Sequence, residues 1–108
     1  MNTIDERRMA ERIQLEMWVQ ETSEDAVYFQ HSTNLSEGGI FLAKTIPHAA
    51  GTVVKLQFTL PDQPTEIRVS GQIVTTGQDE LGMGLKFIDL DPDAALRIRS
   101  FIAARSND

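Results

Sequence analysis

Two arginines four residues apart, Arg8 and Arg12, are followed about twenty residues later by the stretch NLSEGG, from Asn34 to Gly39. A guanidinium is a rigid planar fork. It binds phosphate or a guanine O6/N7 edge with two parallel hydrogen bonds, and its flat face stacks on a purine. Two such forks four apart could clasp a base from both sides, with Arg7 as an auxiliary contact. Asn34 and Ser36 offer short hydrogen-bonding side chains, while Gly38 and Gly39 let a ligand approach the backbone closely. Each motif alone is weak: paired arginines are usually solvated, and Asn, Ser and Gly build ordinary turns.

Other chemistries are poorly provided for. There is no cysteine, so no disulfide or thiolate metal site can form. His31 and His48 lack companions at metal-ligand spacing, and no G-x-S-x-G elbow surrounds a serine. Both histidines read as solvated residues, and no enzyme activity or cofactor is expected.

The 108 residues suffice for one domain with a modest core, too small for a large internal active site. A formal net charge of −6 opposes coating of DNA or RNA, which needs a basic face, yet a small dianion needs only a local cationic cluster. No run approaches the roughly 18 apolar residues of a membrane span, and no apolar signal segment opens the chain. A cytoplasmic location fits that composition.

Residues 1–12 are polar without an apolar stripe and read as a flexible arm bearing the arginines. From Ile13 the period becomes two, with Leu15, Met17 and Val19 on the same face and Trp18 on the other, where it is expected to pack under a loop or the C-terminal helix, a partner surface being the alternative. Strands are expected over 13–20, 26–32, 39–43, 52–60, 66–74 and 81–88, separated by turn residues. Within the last two, Ile67, Val69, Ile73, Leu81, Met83, Leu85 and Phe87 point inward, and Gly71 marks a bulge or a close backbone approach. Six short strands predict an all-β, six-stranded antiparallel β-barrel over 13–90. Asp91 as N-cap and Pro92 at the first helical position open a C-terminal α-helix over 91–105, packed through Ala95, Ile98 and Ile102, with its arginines on a solvated face.

The ordered pair of motifs, R-x-x-x-R at Arg8 and Arg12 and then N-x-S-x-x-G at Asn34, Ser36 and Gly39, resembles the PilZ domain, the bacterial receptor module for cyclic di-GMP. The late segment GMGLKF, Gly82 to Phe87, resembles a strand of the same family, so the likeness runs from about Glu6 to Leu90. Asn replaces Asp at position 34, which the family pattern allows. The resemblance implies a six-stranded barrel and places the ligand against Arg8, Arg12, Asn34, Ser36 and Gly39, with Arg7 and Gly38 beside them. It also implies a mobile arm that orders on binding, no catalysis, and action in trans on a protein effector in motility or biofilm regulation, as a monomer or weak homodimer. Two other readings stay open: a PilZ-like adaptor that binds protein without nucleotide, and a small hydrolase or oligonucleotide-binding barrel.

Overall fold

The computed structural model describes residues 11–76 and 81–106. Alternation of apolar and polar residues drives the sheet: Val54, Leu56 and Phe58 are buried along one strand while Val53 and Lys55 face out. The strands are β1 (Arg12–Gln14), β2 (Trp18–Ser23), β3 (Ala26–Ser36), β4 (Gly39–Ala43), β5 (Val53–Phe58), β6 (Ile67–Thr76) and β7 (Gly82–Ile88), followed by helix α1 (Pro92–Ser106). All pairings are antiparallel in the order β1-β3-β2-β5-β6-β7-β4, and β4 returns to pair with β3. Strands β2 to β7 thus close a six-stranded barrel, which removes the sheet edges a flat meander would expose.

The seventh strand is the front of the expected first one. Residues 15–17 leave the ladder opposite a β-bulge at Thr33, so β1 and β2 are consecutive pieces lying along one side of the long β3. The buried Ser32 hydroxyl mends the break: it donates to the Leu15 carbonyl at 2.7 Å and accepts the Met17 N–H at 3.1 Å. A second bulge, at Val74 in β6, interrupts the pairing with β7. Gly71 is not bulged; a Cβ there would stand 2.8 Å from a Leu56 methyl carbon, so close packing requires the glycine.

Leu35, Ile40, Leu42, Leu56, Leu60, Ile67, Ile73 and Met83 fill the barrel. Burying each such side chain contributes about 1.5–3 kcal/mol relative to leaving it in water. Leu81 departs from the expected inward phase and is exposed, lying just before β7 begins. Helix α1 caps the barrel beside β1 and β3. The Asp91 carboxylate accepts the N–H groups of Asp93 and Ala94, as an N-cap should. Its buried stripe is Ala94, Ile98, Phe101 and Ile102, one residue rotated from the expected Ala95 register.

Candidate functional site

The bulge at Thr33 decides which way β3 points its polar residues. Ser32 faces the core opposite Leu42; after the extra residue, Leu35 faces the core opposite Ile40, and Asn34 turns outward opposite Phe41. Without that insertion a strict period of two would carry Asn34 inward with Ser32 and expel Leu35. Arg12 of β1 pairs with Ser36 and Gln14 with Asn34, so strand pairing brings Arg12 onto the NLSEGG stretch. Arg12, expected in the arm, thus belongs to a strand, while residues 1–10 of that expected arm lie outside the described residues.

Arg12, Asn34, Ser36, Gly38 and Gly39 line one shallow cleft of about 170 Å³, joined by Phe41, Val74, Gly84 and Lys86. Both bulges border it, and bulges gather beside functional sites because they re-aim side chains. The cleft is smaller than the about 300–1,000 Å³ of pockets that engulf drug-sized ligands, so it can seat part of a larger molecule. Its charge is one-sided: among the described residues Arg12 and Lys86 line it and no carboxylate does, in a chain of net charge −6. Neither cation has an ion-pair partner among the described residues. A larger hollow of about 500 Å³ lies elsewhere, where Lys55, Arg68 and Asp89 mix charges and no motif residue takes part. Chemistry, rather than size, selects the smaller cleft.

The motif residues divide their work between fold and surface. The Ser36 hydroxyl accepts the Gly39 N–H at 3.1 Å and lies 3.4 Å from the Gly39 carbonyl, closing the β3–β4 turn. Gly39 has no room for a side chain, since a Cβ would meet the Leu85 carbonyl oxygen at 2.2 Å. The space a Gly39 side chain would take belongs to β7, while Gly39 itself lines the cleft. Gly38 is the open position, with nothing within 4 Å of a Cβ. The Asn34 amide lies in the cleft and is half-buried. Arg7 and Arg8 lie outside the described residues.

Glu37, between Ser36 and Gly38, would bring an acid to the rim. Arg99 of α1 grips it instead, Nε to Oε1 at 3.1 Å and a terminal nitrogen to Oε2 at 2.8 Å. The Glu37 hydrogen bond and charge hold the Arg99 guanidinium above its ordinary pKa, against a small opposing effect of burial. The helix arginines are thus not merely solvated. Arg97 hydrogen-bonds Gln63 and the Thr65 carbonyl, and Arg105 lies 4.5 Å from the Phe101 ring centre.

Other expectations resolve differently. Trp18 is 67% exposed, its ring edge-on to His31 with centroids 5.1 Å apart, so no loop or helix among the described residues covers it. His48 is no bystander: its Nε2 is 2.6 Å from the carboxylate of Glu21, which is fully buried and also accepts from Gln30 at 2.9 Å. Among the described residues no three His, Cys, Asp or Glu side chains cluster as metal ligands, and no helix is long and apolar enough to cross a membrane.

Residues 6–104 match the PilZ domain family model. The chain is a member of the PilZ domain family. That family comprises binding domains, generally cyclic di-GMP receptors, rather than enzymes. The Bacillus subtilis inhibitor of motility, MotI/DgrA, superimposes with a TM-score of 0.82 at 18% identity over 94% of this chain. The chain spans about half (51%) of that protein. The PilZ domain of the cellulose synthase CeSA from a cellulose-synthesizing bacterium gives 0.68 at 14% identity, covering 90% of this chain and 99% of that one. An uncharacterised Legionella protein gives 0.56 at 11%, covering 90% and 95%. No curated protein matches the chain in sequence. At these identities the solved structures establish the shared barrel, and the family model establishes the membership.

Proposed function

We propose that this PilZ domain is a cytoplasmic receptor for cyclic di-GMP, without catalysis or cofactor, that regulates a protein partner in trans. The observation that carries the reading is the convergence of Arg12, Asn34, Ser36, Gly38 and Gly39 on one cleft that, among the described residues, is lined by cations and no acid. A cyclic dinucleotide presents two phosphodiesters and two guanine edges, the groups that arginine forks and short polar side chains recognise. Arg7 and Arg8 precede Arg12 in sequence and would offer two more forks to the same ligand. Ligand bridging residues 1–12 to the barrel remodels the surface around the cleft, and a partner that distinguishes the two surfaces reads the signal. Likeness to a protein named as an inhibitor of motility supports action on a partner.

One observation favours a second reading, a PilZ adaptor that binds protein alone: Ser36 and Gly39 already have structural duties in the β3–β4 turn, which would maintain them without a ligand. Calorimetric titration with cyclic di-GMP, with cyclic di-AMP and GTP as controls, separates the two. Saturable binding of cyclic di-GMP in preference to both controls is expected. Absence of binding assigns the chain to the adaptor reading.

A further inference from the structure

Resting on the receptor reading, we propose that Lys86 is a phosphate-binding residue of the site, gripping a phosphodiester of the dinucleotide from the wall opposite Arg12. Lys86 belongs to neither ligand motif. Strand pairing nevertheless sets four residues in one lateral row: Arg12 opposite Ser36, the turn from Ser36 to Gly39, and Gly39 opposite Lys86. Three strand spacings separate the two cations, roughly 14 Å between backbones on a flat sheet. Both side chains are exposed and line the same cleft, so their long stems converge over the Ser36–Gly39 turn from its two sides.

Two ordinary explanations for an exposed lysine do not apply. It does not guard a sheet edge, because β7 is paired on both sides, with β4 and β6. Nor does it answer a local carboxylate: its cross-strand neighbours are Gly39 and Gln72, and Glu37 nearby is held by Arg99. What remains is a compact charge facing a site with no acid among its described lining residues, which suits a phosphate oxygen. Arginine supplies planar, bidentate recognition from one wall, and lysine supplies a point charge from the other.

The test compares affinities for cyclic di-GMP at several salt concentrations. Lys86→Met keeps the aliphatic stem and removes the charge; binding should weaken about tenfold and lose part of its salt dependence. Lys86→Arg should stay within about threefold of the unmodified chain. Lys55→Met, an exposed strand lysine outside the cleft, removes the same charge and should leave affinity unchanged. Equal weakening by Lys55→Met would reduce the effect to net charge and overturn the inference. Unaltered affinity in Lys86→Met, with the parent chain binding, overturns the role of Lys86 and spares the receptor reading. No binding by the parent chain overturns both.

Discussion

Arg99 holds both carboxylate oxygens of Glu37 by two hydrogen bonds, 3.1 and 2.8 Å long, across 62 residues of sequence. The contact links the C-terminal helix to the turn that frames the cleft, and it neutralises the one acid within NLSEGG. As an exposed pair it should contribute little stability, about 0–1 kcal/mol. Its effect on binding should be larger. Arg99→Met releases a negative charge beside the two cations, so cyclic di-GMP affinity should fall several-fold at low salt while the melting temperature moves little. Double substitution with Glu37→Gln should restore the affinity, and calorimetry on the three variants checks both statements.

The adjacent glycines should respond in opposite ways to the same methyl group. Gly39→Ala drives a Cβ into the Leu85 carbonyl oxygen and should disrupt the β4–β7 pairing, giving a destabilised or unfolded protein. Gly38→Ala meets nothing and should fold normally, yet it places a methyl at the cleft mouth. Reduced nucleotide affinity with an unchanged melting curve is expected for Gly38→Ala, and circular dichroism with a titration separates the two cases.

Ser36→Ala removes the side chain that closes the β3–β4 turn. Loss of that bond to the Gly39 N–H should cost about 1 kcal/mol of stability, read as a lower denaturant midpoint with an unchanged slope. Arg12→Ala should do the reverse. Its side chain has no ion-pair partner among the described residues, so stability should hold while affinity drops about ten- to a hundredfold, the worth of one charge-assisted contact of about 1.5–3 kcal/mol.

At the Glu21–His48 contact, fold and site should prove independent. Glu21 is wholly buried, and its carboxylate is held by His48 from the loop after β4 and by Gln30 from β3. His48→Ala leaves that group short of one partner, which should cost about 1–3 kcal/mol. Nucleotide affinity should be unaffected, because none of these residues lines the cleft. Thermal melting and calorimetry on one variant test the separation.

Much of this protein is written in local pattern. The period of two in Val54, Leu56, Phe58 and Leu60, the turns, and the Asp91 cap each depend on neighbours in the chain, so the strands and the helix can be read from sequence, as can the pairing of an arginine motif with a polar glycine-rich one. Register is another matter. A bulge at Thr33 exists because Ser32 pairs with Leu42 while Asn34 pairs with Phe41, and no residue within β3 announces that offset. From it follow the outward turn of Asn34, the split of the first strand and the arrival of Arg12 beside Ser36. Hydrogen bonding to a distant strand likewise gives Gly39 its duty, and a helix 62 residues away silences Glu37. Alternation is a property of consecutive residues, whereas a site facing solvent across five strands is settled by which backbones share hydrogen bonds.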